Sequence, residues 1–293
     1  MGFAAAFPTP AAPVISPAET AARAALRGRA DFSAIARRTA GELGQSYRAN
    51  RLLARLLNDR ARIVVALLML DLHFEPADQP GLTVGRLQAE AGALGLCSPG
   101  RVTAILAAAR LLGLVAPAPD SDGRRRRLAV TSRLIDIHRE RWRAILAAAA
   151  PALPEAAIGL ARLDEERFVA AFVAALLRPF RAGWRIGDEV PALRLFADRD
   201  GGLLVAFALY EAMPAGTPLP VARLARDFRL SRSHVTDILD KAAQSRLARR
   251  AEGAGFLAEP RLAEAMEAFI AIALVRQAFA VREAVAARAG SDA

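Results

Sequence analysis

The stretch SRSHVTDILDKAAQSRLAR, residues 231–249, aligns without gaps on an earlier stretch of the same chain, SPGRVTAILAAARLLGLVA, residues 98–116. Both begin with serine and share a Val-Thr pair, an Ile-Leu pair and a later leucine at matching positions. Similar segments flank the two stretches in the same order: 56–70 with 195–210, 82–92 with 219–229, and 131–142 with 259–270. Such self-similarity is typical of a tandem duplication of one domain.

Within each copy, the apolar residues follow the spacing of a helix. In the second copy, the positions i, i+3, i+4 and i+7 are occupied by Val235, Ile238, Leu239 and Ala242. This pattern predicts a helix with one buried face, and Ser231 before it is a good N-cap. The first copy has Ser98 followed by Pro99, which also indicates a helix start. A shorter helical segment precedes each of these helices across a short turn, so each copy is predicted to contain a helix-turn-helix unit.

Both copies change periodicity after the second helix of this unit. In the first copy, LGLVA (112–116) and LAV (128–130) are predicted to be extended, with a bend between them. In the second copy, RLARR (246–250) and FLA (256–258) have the same character, again with a Gly-containing bend between them. A two-stranded hairpin that directly follows a helix-turn-helix is a wing.

Each half therefore resembles the winged helix-turn-helix fold of bacterial transcription regulators, and is most similar to the MarR-type proteins. The resemblance covers residues 45–150 and 185–285, although the turn AGALGLCS in the first copy is four residues longer than its counterpart. It implies a mainly α fold with small β-hairpin wings, built from two tandem winged helix-turn-helix domains. We expect a disordered Ala/Pro-rich arm at residues 1–25, a first domain at 26–155 and a second domain at 156–293.

Composition restricts the class of protein. The net charge of +10 and the sequence pI of about 11.2 favour an anionic partner, and nucleic acid is the first candidate. Lys241 is the only lysine, and an Arg- and Ala-rich composition also results from a GC-rich genome, so arginine abundance alone is weak evidence for an anionic partner.

Cys97 is the only cysteine, which excludes an internal disulfide framework and a cysteine-based zinc site. The apolar runs are too short to span a bilayer, and we expect a cytoplasmic, nucleoid-associated protein without a membrane partner.

A run of four arginines follows the bend of the first wing: Arg124, Arg125, Arg126 and Arg127. In winged-helix proteins the recognition helix enters the major groove, and the wing lies on the backbone or an adjacent minor groove. Arginine suits that place because its planar guanidinium binds phosphate oxygens through two hydrogen bonds and is attracted to a narrow minor groove. The alternative is a solvated loop that binds nothing.

The two recognition helices carry unequal sets of candidate DNA-binding residues. In the second copy, donors and acceptors off the buried face and in the wing are Arg232, Ser233, His234, Thr236, Lys241, Gln244, Arg249 and Arg250. Asp237 and Asp240 would repel DNA unless they accept from a cytosine amino group or pair with an arginine. In the first copy, the candidates are Arg101, Thr103 and Arg110, among alanines that read little beyond shape. We expect the first unit to hold phosphates and the second to read sequence, unless the alanine face packs on the other unit.

No catalytic, cofactor or metal motif is recognisable, and the three histidines are scattered, so we expect no enzyme activity, no cofactor and no metal. The preferred interpretation is a sequence-specific transcription regulator that binds double-stranded DNA, with RNA polymerase or another regulator as a further partner. It would act as a monomeric pseudo-dimer or as a homodimer. The alternative is a tandem winged-helix protein-interaction module of the chromosome-organisation type, without specific DNA readout.

Overall fold

The computed structural model describes residues 15–50, 52, 57–76, 78–118, 127–251 and 255–289. These residues are mainly helical and include two small antiparallel sheets of two strands each, as the sequence predicts. The elements of the first half are α1 (Pro17–Arg27), α2 (Phe32–Ala49), α3 (Arg60–His73), α4 (Val84–Ala93), α5 (Pro99–Leu111), β1 (Val115–Pro117), β2 (Leu128–Val130) and α6 (Ser132–Ala149). The remaining elements are α7 (Pro154–Arg162), α8 (Glu166–Arg181), α9 (Ile186–Glu189), a 3₁₀ turn (Pro191–Leu193), α10 (Arg194–Ala197), α11 (Gly202–Ala212), a second 3₁₀ turn (Met213–Ala215), α12 (Val221–Phe228), α13 (Arg232–Gln244), β3 (Ala248–Arg250), β4 (Phe256–Ala258) and α14 (Pro260–Ala289).

The order of three helices, a hairpin and a further helix occurs twice, as α3 to α6 and as α11 to α14. The strand that returns in each hairpin also binds the segment just before the helix-turn-helix. The backbone N–H of Leu128 donates to the oxygen of Leu82 at 2.8 Å, and Leu219 and Phe256 exchange two such bonds. Leu82 and Leu219 occupy matching positions in the aligned segments 82–92 and 219–229, so each hairpin is attached to its helix-turn-helix in the same way.

The predicted helix starts and buried faces of α5 and α13 are confirmed. The Ser231 hydroxyl accepts from the N–H of His234 at 3.1 Å, and the Ser98 hydroxyl accepts from the N–H of Arg101 at 3.3 Å. The apolar stripe of α13 is buried throughout, while in α5 only Ile105 is half-buried and the rest of the stripe is buried. The hydrophobic effect and the serine caps therefore define both helices from local sequence.

The extra length of the first helix-turn-helix does not change how its turn closes. Only two of the four extra residues lie in the turn, because five residues (94–98) connect α4 to α5 and three (229–231) connect α12 to α13. The other two lengthen α4, which has ten residues where α12 has eight. Each turn passes through one left-handed residue, Gly95 at φ 61° or Arg229 at φ 57°. In both, the N–H of the following leucine bonds back to a carbonyl near the end of the preceding helix, at 3.0 Å and 2.9 Å. This closure is a common way to end a helix.

The two halves share one hydrophobic core, because nearly all of the described buried apolar residues form a single cluster that includes residues of both halves. Helix α14 packs against α1, α2, α7 and α8, and α2 also packs against α11 and α6. Ile270, Ile272 and Leu274 of α14 are buried within the chain. The predicted boundary between residues 155 and 156 falls inside α7, which packs on α6 and α14. Among the residues that the structure describes, no helix has the combined length and apolar character needed to cross a bilayer.

The expected disordered arm at residues 1–25 is wrong for residues 17–25, which belong to α1; residues 1–14 lie outside the described residues. Ser16 caps this helix by accepting from the N–H of Glu19 at 3.1 Å. Glu19 is only 1% exposed and pairs with Arg23 at 2.6 Å and with Arg276 of α14 at 2.8 Å. A Ser-x-x-Glu pattern starts many helices, so the sequence did contain this signal.

Replacing Glu19 with glutamine should lower the free energy of unfolding by about 3 kcal/mol, because the loss of one partner leaves buried guanidinium groups undercompensated. Removing one partner of a buried ion pair costs about 3–5 kcal/mol. We expect the low end of that range because Arg23 and Arg276 each keep a second carboxylate, from Glu189 and Glu283. Urea unfolding measures the change. The control is Glu264→Gln, the same substitution at an exposed position of α14, which should leave stability almost unchanged. Equal losses in both variants would contradict a special role for the Glu19 carboxylate.

Candidate nucleic-acid interface

The first turn of α13 presents polar groups to solvent. Arg232 and Ser233 are exposed, and Arg232 has no ion-pair partner among the described residues. Thr236, one turn further on, is half-buried, and Gln244 is exposed at the end of the helix. The buried stripe holds the opposite face of α13 against the core, so these side chains point away from it. They form a set of donors and acceptors that can contact base edges or phosphates.

Both acidic residues of α13 are neutralised within the chain. Asp240 pairs with Arg250 at 2.6 Å. Asp237 pairs with Lys241 at 2.9 Å and with Arg199 at 3.5 Å, and its hydrogen bond with Lys241 lowers the pKa of the Asp237 carboxyl. These pairs remove the repulsion that bare carboxylates would exert on phosphates. They also reduce the charge that Lys241 and Arg250 offer to an anionic partner.

Two further candidates have contacts inside the protein. The Nε2 atom of His234 lies 2.9 Å from the backbone oxygen of Asp200, so one side of its ring is occupied by the segment before α11. Arg249, in the second wing, pairs with Glu259 at 3.0 Å. Both side chains therefore have partners within the protein, and each would have to give up or share that contact to bind DNA.

Helix α5, which the sequence predicts to be the recognition helix of the first copy, offers little free charge. Arg101 pairs with the buried carboxylate of Asp59 at 3.0 Å, and the Thr103 hydroxyl accepts from Gln88 at 2.9 Å. Arg110 is exposed and has no ion-pair partner among the described residues. Ala104 and Ala107 are also exposed, so the alternative in which this alanine face packs on the other unit is wrong. The same face ends at Leu111, whose 88% exposure is high for a large apolar residue.

The arginine run of the first wing lies mostly outside the described residues, which leave out Arg124, Arg125 and Arg126. Arg127 is described and half-buried, directly before β2. Its guanidinium lies against Gly81, where a Cβ atom would collide with it. Gly81 has a φ of 65°, so the absence of a side chain permits both the turn and this close approach. Arg127 thus packs on the segment before α4 at the base of the hairpin.

Excess positive charge is concentrated on the two helix-turn-helix and wing segments. Residues 84–130, from α4 to the end of β2, contain seven arginines and three carboxylates, a net +4. Residues 221–258, from α12 to the end of β4, contain eight basic and four acidic residues, also a net +4. Together they carry +8 of the net +10 of the whole chain. The net positive charge is therefore concentrated on these segments, although Asp59, Glu75 and Glu259 outside them pair with Arg101, Arg86 and Arg249. The remaining excess favours an anionic partner.

Two arginines that sequence reasoning missed stand at the helix ends of the second unit. Arg229 and Arg246 are the only non-glycine residues with positive φ in the part of the chain that the structure describes, at 57° and 56°. The residue matching Arg246 in the first copy is Gly113, at φ 67°. The sequence did contain a signal for this conformation, because Arg246 aligns with Gly113, and glycine is the usual residue at a left-handed helix end. A left-handed conformation disfavours side chains with Cβ, and such outliers cluster at functional sites.

The two other side chains of chemical interest, His138 and Cys97, have pKa values shifted by burial. His138 is fully buried beside Trp142, and burial lowers the pKa of its imidazole to about 3, so it is neutral. Burial also raises the pKa of the Cys97 thiol, which disfavours the reactive thiolate. Among the described residues, no cluster of His, Cys, Asp and Glu has an arrangement that could hold a metal ion.

No protein-family model, curated protein or solved structure matches the chain. What the two units bind is therefore inferred from their charge, exposure and contacts.

Substituting Arg246 tests whether its backbone is strained. Arg246→Gly and Arg246→Ala both remove the guanidinium, but only glycine adopts positive φ without cost. We expect the glycine variant to be about 1 kcal/mol more stable than the alanine variant in urea unfolding. Because the two variants lack the same side-chain contacts, the difference isolates the backbone. Equal stability would show that the left-handed conformation is not costly here.

Proposed function

We propose that this chain binds double-stranded DNA through two winged helix-turn-helix units that arose by internal duplication, and that it regulates transcription in the manner of the MarR-type proteins it resembles. The observation that carries the proposal is the charge distribution: +8 of the net +10 falls on the two segments that contain the recognition helices and wings. Phosphate neutralisation by Arg and Lys supplies most of the non-specific affinity of DNA-binding proteins.

In this proposal α13 is the reading helix. Its first turn carries Arg232, which has the two-donor geometry that recognises the O6 and N7 atoms of guanine, and Ser233 beside it. Arg246 lies exposed at the other end of α13, where it would contact the phosphate backbone. The ion pairs of Asp237 and Asp240 support the proposal because they cancel the charges on α13 that would repel DNA.

In this proposal the first unit positions the protein on the duplex and adds affinity for its phosphates. Its recognition helix exposes alanines and a paired Arg101, which are poor base readers. Its wing carries the run Arg124–Arg127, and phosphate contacts fix a protein on the duplex without reading bases directly. The two units therefore have different roles, and we expect an asymmetric binding site.

One observation favours a second function for the first unit. The exposed face of α5 has an apolar strip, Ala104, Ala107 and Leu111, flanked by Arg101 and Arg110, and apolar surface of this kind binds proteins more often than phosphates. A tandem winged-helix interaction module, or docking of RNA polymerase or another regulator on α5, would use this face. The alternative predicts that α5 mutations disrupt a protein complex while DNA affinity stays the same.

Salt dependence tests the DNA proposal directly. We expect the purified protein to bind random duplexes at low salt, with log K falling by about 0.9 per phosphate contact for each tenfold rise in salt, because condensed counterions are released. Titration by fluorescence anisotropy at several salt concentrations gives the slope. An absence of binding at the lowest salt would refute the DNA proposal and favour the protein-interaction module.

Two sets of substitutions distinguish residues that contact phosphates from residues that recognise bases. Replacing Arg124, Arg125 and Arg126 with alanine, and keeping Arg127 because it packs against Gly81, should weaken binding to all sequences alike and flatten the salt slope. Arg232→Ala should instead relax discrimination at one or two base pairs, by about 1–3 kcal/mol for each lost base contact. Selection of binding sites from a random pool measures the preference of each variant.

The control for these variants is Arg167→Ala, an exposed arginine on α8 that lies far along the chain from both units. It should alter neither affinity nor preference. If the wing variant lost sequence preference while Arg232→Ala kept it, α13 would not be the reading helix.

A further inference from the structure

The loops before α3 and α11 lie against each other. The N–H of Gly201 donates to the backbone oxygen of Asn58 at 2.8 Å. Ion pairs also cross from the first turn of α3 to the loop before α11, from Arg60 to Asp198 at 3.2 Å and from Arg62 to Asp200 at 3.6 Å. We call residues 58–62 and 198–201 the Asp-Arg seam. In the comparison of the two copies, Asp59-Arg60 aligns with Asp198-Arg199, so matching loops of the two halves meet here.

Each side of the seam also holds the recognition helix of its own half. On the first side, Asp59 Oδ2 lies 3.0 Å from Nη2 of Arg101, in the first turn of α5. On the second side, Arg199 pairs with Asp237 of α13 at 3.5 Å, and the Asp200 oxygen contacts His234 at 2.9 Å. An unbroken series of polar contacts therefore runs from α5 through the seam to α13.

Asp59 is the centre of this series. It is 5% exposed, and its carboxylate caps α3 by accepting from the N–H of Arg62 at 3.0 Å. It also pairs with the side chain of Arg62 at 3.2 Å and with Arg101. Arg62 is held in turn by the Asn58 amide oxygen at 2.6 Å. A buried carboxylate with two guanidinium partners allows few arrangements, because separating any partner leaves a buried charge uncompensated.

We infer that Asp59 is a positioning residue that fixes the spacing and orientation of α5 and α13 relative to each other. For a protein that binds DNA with both helices, fixed spacing means that only one separation of the two half-sites is accepted, since half-sites must follow the helical repeat of the duplex. This consequence for DNA rests on the proposed function, whereas the fixed spacing of the helices does not. Asp59 touches no base or phosphate in this scheme and acts through Arg101 and Arg62.

The test uses Asp59→Asn, since asparagine is also a good N-cap and removes only the charge. The matched control is Asp31→Asn, at an exposed aspartate that pairs with neighbouring Arg29. Spin labels at Ala107→Cys and Gln244→Cys, both exposed, in a Cys97→Ser background report the distance between α5 and α13 without DNA. We expect a narrow distribution in the parent protein and in Asp31→Asn, and a broad or shifted one in Asp59→Asn. Arg62→Gln, which interrupts the series beyond Asp59, should broaden it as well and serves if Asp59→Asn does not fold.

The second measurement uses unlabelled protein and duplexes with two selected half-sites at a series of separations. The parent protein should prefer one separation, and Asp59→Asn should lose at least about tenfold of that preference, because linkage helps only when geometry permits simultaneous binding. Affinity for a single half-site should stay the same, which a general loss of stability would not produce.

The two proposals fail in different ways. If the parent binds no duplex but the distance distribution broadens in Asp59→Asn, the DNA function is refuted and the role of the seam stands. If the parent prefers one separation and the variants keep both that preference and a narrow distribution, the DNA function stands and the role of Asp59 is refuted.

Discussion

Burial of α14 is the constraint on which the rest of the fold depends. This helix has thirty residues, and apolar side chains such as Met266, Leu274 and Val281 are buried along most of its length. A helix that is apolar on several sides needs several partners. Helices from both halves supply them, so the halves are parts of one core. The buried Arg276 in α14 also requires compensation, and Glu19 of α1 supplies one of its two carboxylate partners, the other being Glu283 of α14 itself.

The pairing of charges explains how α13 can carry two acidic residues and still be the proposed base-reading helix of a basic chain. Asp237 and Asp240 are both paired on α13, and Asp227 is paired with Arg223 and Arg226 on α12. The arginines of this unit that have no carboxylate partner among the described residues are Arg229, Arg232 and Arg246. They stand at the ends of α12 and α13, in the turn and after the helix. In the proposed complex, these few exposed guanidinium groups would contact the DNA, and the paired arginines would stabilise α12 and α13 within the fold.

Much of the local structure could be predicted because its causes lie within a few residues of each other. The serine caps at 98 and 231, the buried stripe of α13 and the strands at 128–130 and 256–258 all follow from capping, periodicity and turn residues. The error at α1 had a different origin. Alanine and proline in the first residues suggested disorder, although Ser16 and Glu19 form a helix start, and the burial that stabilises this helix comes from α14.

The sequence by itself determined the helices of the two helix-turn-helix segments, the positions of the two hairpins and the placement of most of the net positive charge on these two segments. Only the tertiary structure decided which of those charges are already paired. Arg101 meets Asp59 across 42 residues, Arg276 meets Glu19 across 257, and His234 meets Asp200 across 34. An ion pair depends on distance in space and on burial, and neither follows from separation along the chain. A list of exposed cations therefore becomes a candidate interface only after the folded chain has shown which of them its own carboxylates occupy.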